Sequence, residues 1–90
     1  MKIKEGFERK KIGQHEMVYR TKEDGKMDLW FALNETGVFL WDHLLEGCSL
    51  SDLVEKMTQE YDAEAGEAEM IREDIQEYLE QLRSMGVLED

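Results

Sequence analysis

The feature that most constrains this 90-residue sequence is a change of hydrophobic period at Asn34. The run MDLWFALN (27–34) alternates as a β-strand does, which puts on one face Leu29, Phe31 and Leu33 and on the other Trp30 and Ala32. In the next run, ETGVFLWDHLLEG (35–47), helical spacing relates Val38, Trp41, Leu44 and Leu45. The sequence therefore predicts an α+β domain with strands within residues 1–34 and helices within residues 35–90.

The strand region contains two further candidates before this last strand. FERKKIG (7–13) is weakly patterned, whereas HEMVYRT (15–21) has the bulk that pleated surfaces favour. Between the second and third candidates lies Asp24-Gly25, a dipeptide suited to the positive φ angles of a hairpin turn. We therefore expect a three-stranded antiparallel β-meander.

The helix boundaries have clear sequence signals. Asn34 is suited to cap the first helix, and Gly47 to end it. Ser49 and Asp52 have the spacing of a capping box for a second helix that extends to Tyr61. The acidic stretch 62–69 is predicted to be a loop, the third helix to end at Gly86, and residues 87–89 to form a short extended tail. Three strands followed by three helices are compatible with a winged helix-turn-helix.

Length and composition place the chain in a broad class. Ninety residues provide one hydrophobic core, so we expect a single domain over residues 1–90. No apolar run approaches the roughly 18 residues of a membrane span, and no signal-peptide pattern follows the first lysines. The one cysteine, Cys48, has no partner for an internal disulfide. These observations predict a cytoplasmic protein with no membrane partner.

The net charge of −11 is concentrated in the helical region, where residues 49–90 carry three basic and thirteen acidic side chains. The third helix, which would read DNA in a helix-turn-helix protein, offers Arg72 and Arg83 among five acidic residues. Nucleic-acid affinity depends largely on Lys and Arg at phosphates, so this surface predicts no nucleic-acid partner. The same charge favours a basic partner or simply aids solubility.

The sequence has no catalytic or metal-binding constellation. The chain has two histidines, His15 and His43, and one cysteine, Cys48. These three residues predict neither a nucleophile–base pair nor a four-ligand zinc site. We therefore expect a protein that is not an enzyme, with no catalytic residues, no metal and no cofactor.

The last strand of a meander lies at a sheet edge, where unpaired backbone groups accept another extended chain. Trp30 is either an outward anchor for such a chain or a core residue beneath a helix, and the sequence leaves both open. Two other functions also stay open: a winged-helix transcription regulator and a self-associating assembly domain.

An ordered set of short segments resembles the PqqD family, named for its member in pyrroloquinoline quinone biosynthesis. The segments are LNETG (33–37) entering the first helix, Leu40-Trp41 with the Gly47 stop, Leu53-Val54 with Glu60-Tyr61, Asp74-Ile75, Tyr78-Leu79 with Leu82, and the ending Gly86-Val87-Leu88. The resemblance covers residues 27–90 and depends on the order of the segments rather than on any single motif.

The resemblance implies a peptide-binding module. Proteins of this type are recognition elements for ribosomally made precursor peptides (RiPPs), and they present the leader segment to a modifying enzyme, often a radical S-adenosylmethionine (SAM) protein. The leader adds as a strand beside the third strand, in a cleft whose other wall is the third helix. Carried onto this chain, the peptide-binding residues are Asp28, Leu29, Trp30, Phe31, Ala32 and Leu33 on the strand and Arg72, Ile75, Gln76, Leu79 and Arg83 on the helix. The domain itself is expected to be a monomer or a weak dimer.

Overall fold

A computed structural model describes residues 1–90 as five strands and three helices. In chain order they are β1 (Lys2–Ile3), β2 (Phe7–Ile12), β3 (His15–Thr21), β4 (Met27–Leu33), α1 (Glu35–Glu46), α2 (Leu50–Glu60), a 3-10 turn (Ala65–Glu67), α3 (Ala68–Ser84) and β5 (Leu88–Glu89). The predicted α+β class, the β-meander and the three helices are confirmed.

The meander β2-β3-β4 is antiparallel throughout, and both β2 and β4 are edge strands. The turn between β3 and β4 forms where predicted, with Gly25 at φ +83° and the Asp24 side chain accepting the Lys26 backbone N–H at 2.9 Å. Glycine suits this position because residues with a Cβ rarely adopt a positive φ angle.

A β-bulge at Trp30 changes the predicted faces of β4. Val18 pairs with Phe31 and Tyr19 with Leu29, so Trp30 has no partner of its own in β3. Because Val18 and Tyr19 point to opposite faces, Leu29 and Phe31 do as well. The prediction that Leu29 shares a face with Phe31 and Leu33 is therefore wrong. The strict alternation assumed for this strand is interrupted by one residue.

The predicted caps are present at the starts of α1 and α2. The Asn34 carboxamide oxygen accepts the Gly37 backbone N–H at 2.8 Å. Ser49 and Asp52 form a reciprocal capping box, at 3.1 Å from the Asp52 N–H to the Ser49 hydroxyl and 3.3 Å from the Ser49 N–H to the Asp52 carboxylate. The predicted loop 62–69 is partly helical, since a 3-10 turn and the start of α3 lie within it.

The chain ends form a second, two-stranded sheet that the sequence did not predict in full. The expected extended tail is present as β5, and it pairs antiparallel with β1, which has Ile3 opposite Leu88. The Met1 backbone also exchanges hydrogen bonds with Cys48, at 2.9 and 3.1 Å. A two-residue strand has too little pattern to be seen without its distant partner.

One hydrophobic core joins both sheets to the helices. Its most deeply buried side chains are Val18, Trp41, Leu44, Leu53, Ile75, Leu79, Leu82 and Val87. Leu45, which helical spacing relates to Trp41 and Leu44, is exposed, whereas Leu40, at the edge of the same stripe, is buried. The core fixes α3 next to the free edge of β4.

Candidate functional site

An open cleft of about 420 Å³ separates the free edge of β4 from α3. We call it the strand cleft, and it is lined by His15, Phe31, Ala32, Leu33, Asn34, Gly37, Tyr78, Gln81, Leu82 and Met85. None of these residues is Lys, Arg, Asp or Glu, although the chain carries 33 such residues among its 90. The cleft is thus a mixed apolar and polar slot without acidic residues, Lys or Arg on a strongly acidic protein.

The strand wall of the cleft consists of the second half of β4. Phe31 is half-buried and meets Trp41 of the core edge to face, with ring centroids 6.2 Å apart. Ala32 is exposed and Leu33 is buried. As β4 is an edge strand, every second backbone N–H and C=O along it points away from β3, toward solvent and the cleft.

The helix wall consists of four residues at helical spacing: Tyr78, Gln81, Leu82 and Met85. Leu82 is buried, whereas the Met85 side chain is 37% exposed at the end of α3. The Tyr78 hydroxyl donates a 3.0 Å hydrogen bond to the Gly37 carbonyl of α1, and burial raises the pKa of Tyr78. Tyr78 therefore stays a protonated donor and fixes α3 to the start of α1.

Gly37 is required at this junction by close packing. A Cβ at this position would lie 3.1 Å from the Asn34 carboxamide oxygen and 3.3 Å from a Leu33 methyl group. These two atoms belong to the α1 cap and to the strand wall. A side chain at residue 37 would push both of them, and the cleft would change shape.

Of the predicted strand residues, three line the cleft: Phe31, Ala32 and Leu33. Asp28, Leu29 and Trp30 lie farther along the same edge strand, outside the cleft. The Trp30 ring meets Phe7 of β2 edge to face at 4.8 Å, and its indole N–H donates to Asp28 at 3.1 Å. Trp30 is 38% exposed, so it is not a core residue, and it lies outside the lining of the strand cleft.

The predicted helix residues do not line the cleft. Ile75 and Leu79 are in the core, at 1% and 2% exposure. Arg72 and Gln76 are absent from the lining, and Arg83 pairs with Asp90 at 2.9 Å and with Glu80 at 3.2 Å. The assignment of these five residues to peptide binding therefore stays a prediction, and the α3 residues that line the cleft are Tyr78, Gln81, Leu82 and Met85. The five predicted residues follow a different stripe of α3 from the four residues that face β4.

The helix side of the cleft had a weak signal in the sequence. Met85 continues the apolar stripe of α3 by a further turn beyond Leu82, its last core residue. An exposed apolar residue at the end of a stripe marks a surface that the core does not cover. His15 gave no such signal, because only the fold brings the start of β3 next to Asn34.

Nothing in the side-chain arrangement suggests chemistry at the cleft. No three His, Cys, Asp or Glu side chains come close enough to hold a metal ion. Burial raises the pKa of the Cys48 thiol, which disfavours the nucleophilic thiolate. Separately, none of the helices is both long and apolar enough to span a bilayer.

The comparisons with known proteins bear on this arrangement of an edge strand facing the third helix. Among solved structures, the chain is similar to that described as "TbiB1 in Complex with the TbiA(beta) Leader Peptide", at 22% identity and a TM-score of 0.73, over 99% of this chain and 95% of that one. This similarity shows a shared fold. No curated protein matches the sequence. The family model for coenzyme PQQ synthesis protein D matches residues 19–88, from β3 to the last strand, and the chain therefore belongs to the PqqD family.

Proposed function

We propose that this chain is a non-catalytic recognition domain for the leader segment of a ribosomally made precursor peptide. The leader adds as a strand to the free edge of β4 and lies in the strand cleft. The domain presents it to a separate modifying enzyme such as a radical SAM protein. The observation that carries the proposal is the unpaired β4 edge facing an open cleft whose lining has no Lys, Arg, Asp or Glu.

Strand addition suits this cleft physically. The outward N–H and C=O groups of β4 supply hydrogen bonds to any extended chain, and the side chains opposite supply selection. Phe31 on the strand wall and Met85 on the helix wall offer apolar contacts. A leader that places apolar residues at every second position would bury them there, at about 25 cal/mol for each Å² removed from water.

Membership of the PqqD family and the fold shared with a protein solved with a leader peptide both support this proposal. The winged-helix regulator is less well supported, because α3 presents acidic residues and Arg83 is already paired with two carboxylates. Self-association through the same edge is tested by the experiment that follows.

The test is a titration of the protein into fluorescently labelled leader peptides, synthesised from the short open reading frames next to its gene. We expect saturable binding at micromolar concentration or tighter for one of them. Met85→Asp is expected to weaken that binding at least tenfold, because it puts a charge into an apolar wall. Met85 is 37% exposed, so the variant should keep its fold.

Leu45→Asp is the matched control, since Leu45 is an exposed apolar residue, at 42%, near the end of α1 and outside the cleft. The Leu45→Asp variant should bind the leader peptide with the affinity of the wild type. Equal affinity in all three proteins would refute the cleft assignment. Absence of binding to every peptide, together with concentration-dependent sedimentation of the protein alone, would favour the self-associating domain.

A further inference from the structure

A second open groove, of about 540 Å³, lies between α2 and α3. We call it the helical groove. Its apolar lining includes Leu40, Met57, Tyr61, Met70, Ile71 and Ile75. Two of these side chains are exposed to solvent: Tyr61 is 43% exposed and Met70 is 64% exposed. Exposed methionine is a common component of surfaces that bind varied apolar side chains.

The two grooves differ in charge. The helical groove is lined by Glu67, Asp74 and Glu77 and by no Lys or Arg, whereas the strand cleft has no such charges. No salt bridge or side-chain hydrogen bond to a basic residue involves these three carboxylates. A peptide in the helical groove should therefore bind more tightly if it carries Lys or Arg beside its apolar side chain.

The two grooves are neighbours, since Asn34, Tyr78 and Gln81 border both. Asn34 directly follows Leu33, the last residue of β4, so a peptide that leaves the strand cleft at that end reaches residues that border the helical groove. Every strand pair in the meander is antiparallel. A peptide that continues this pattern has its N-terminal side at the Leu33 end of β4.

We propose that the helical groove binds the part of the precursor leader directly N-terminal to its strand-adding stretch. This part carries a large apolar residue next to Lys or Arg. The inference rests on the proposed function and adds to it the substrate class, a leader with an apolar strand preceded by a basic and apolar segment.

The experiment uses the leader peptide that binds in the titration above, in full and without the residues N-terminal to its strand-adding stretch. The groove variant is Asp74→Asn with Glu77→Gln. Its matched control, Glu69→Gln with Glu73→Gln, removes two exposed carboxylates from the same helix outside the groove. We expect the full leader to bind the groove variant about three- to tenfold more weakly than the wild type at low salt. The control variant should lose no more than twofold.

The truncated leader should bind the wild type and the groove variant equally, and Met70→Ala should weaken only the full leader. If the full leader binds all variants equally, or truncation leaves its affinity unchanged, the inference is wrong while the strand cleft stands. A leader without Lys or Arg in that segment also contradicts it. If no leader binds the wild type, the proposed function fails and the inference fails with it.

Discussion

The two edges of the meander, β2 and β4, are built differently although they border the same sheet. β2 has four charged residues in six positions: Glu8, Arg9, Lys10 and Lys11. β4 has one in seven, Asp28, and it lies before the bulge. Natural proteins use charged side chains, lysine above all, to prevent unwanted pairing at sheet edges.

The edges also differ in what lies beside them. Arg9 of β2 reaches Asp42 of α1 through two hydrogen bonds of 2.8 and 2.9 Å and Glu16 of β3 at 3.1 Å, so this edge is fastened to the helical part. β4 instead borders the open strand cleft. One edge is closed by charge and the other is left open, which is the asymmetry expected of a domain that takes up a single extended peptide.

Giving β4 the lysine of β2 should remove this asymmetry, with the largest effect among changes to the two edges. Ala32→Lys places a charged, bulky side chain at the exposed middle of the cleft wall. We expect leader affinity to fall at least tenfold, which corresponds to about 1.4 kcal/mol. Anisotropy titration measures it, with Lys10→Ala in β2 as the control. A similar loss in both variants would mean that the edges do not differ in function.

Trp30→Ala separates the stability of the β4 edge from binding at it. The variant removes the edge-to-face contact with Phe7, which links β4 to β2 across the end of the sheet. Because Trp30 is only partly buried, we expect the free energy of unfolding to fall by about 1–2 kcal/mol. Leader affinity, measured where both proteins are folded, should change less than threefold. A tenfold loss of affinity at unchanged stability would instead make Trp30 the outward anchor.

The sequence predicts some parts of the fold and of the site and not others. Local rules were sufficient for the turn at Gly25, the cap at Asn34 and the capping box at Ser49, because each involves residues only a few positions apart. They failed for Trp30, because a bulge depends on the register with the neighbouring strand. They do not decide which side of α3 faces β4 either, since the rotation of α3 is set by packing against the whole core. In the structure Tyr78 lines the cleft and Leu79 lies in the core.

The charges on β2 should protect its edge. Glu8→Thr with Lys10→Thr removes two exposed charges of opposite sign, so the net charge stays −11. We expect this variant to self-associate at protein concentrations where the wild type does not, because threonine is well suited to an edge that accepts another strand. Sedimentation velocity over a concentration series measures it. Lys22→Thr with Glu23→Thr, outside the strands, is the control and should behave as the wild type.

The smallest expected effect concerns the fastening of β2 to α1. Arg9→Gln removes the paired hydrogen bonds to Asp42, yet the Arg9 side chain is 30% exposed and that of Asp42 is 47% exposed. Solvent screens such a pair, so we expect the free energy of unfolding to fall by only about 0.5–1 kcal/mol. A double-mutant cycle with Asp42→Asn, followed by urea unfolding at low and high salt, isolates the pair. A coupling that disappears in salt means that the ion pair only adjusts the position of β2. A coupling that persists means that the bidentate geometry holds the closed edge against the helices, which leaves β4 as the edge that is free to take up a peptide.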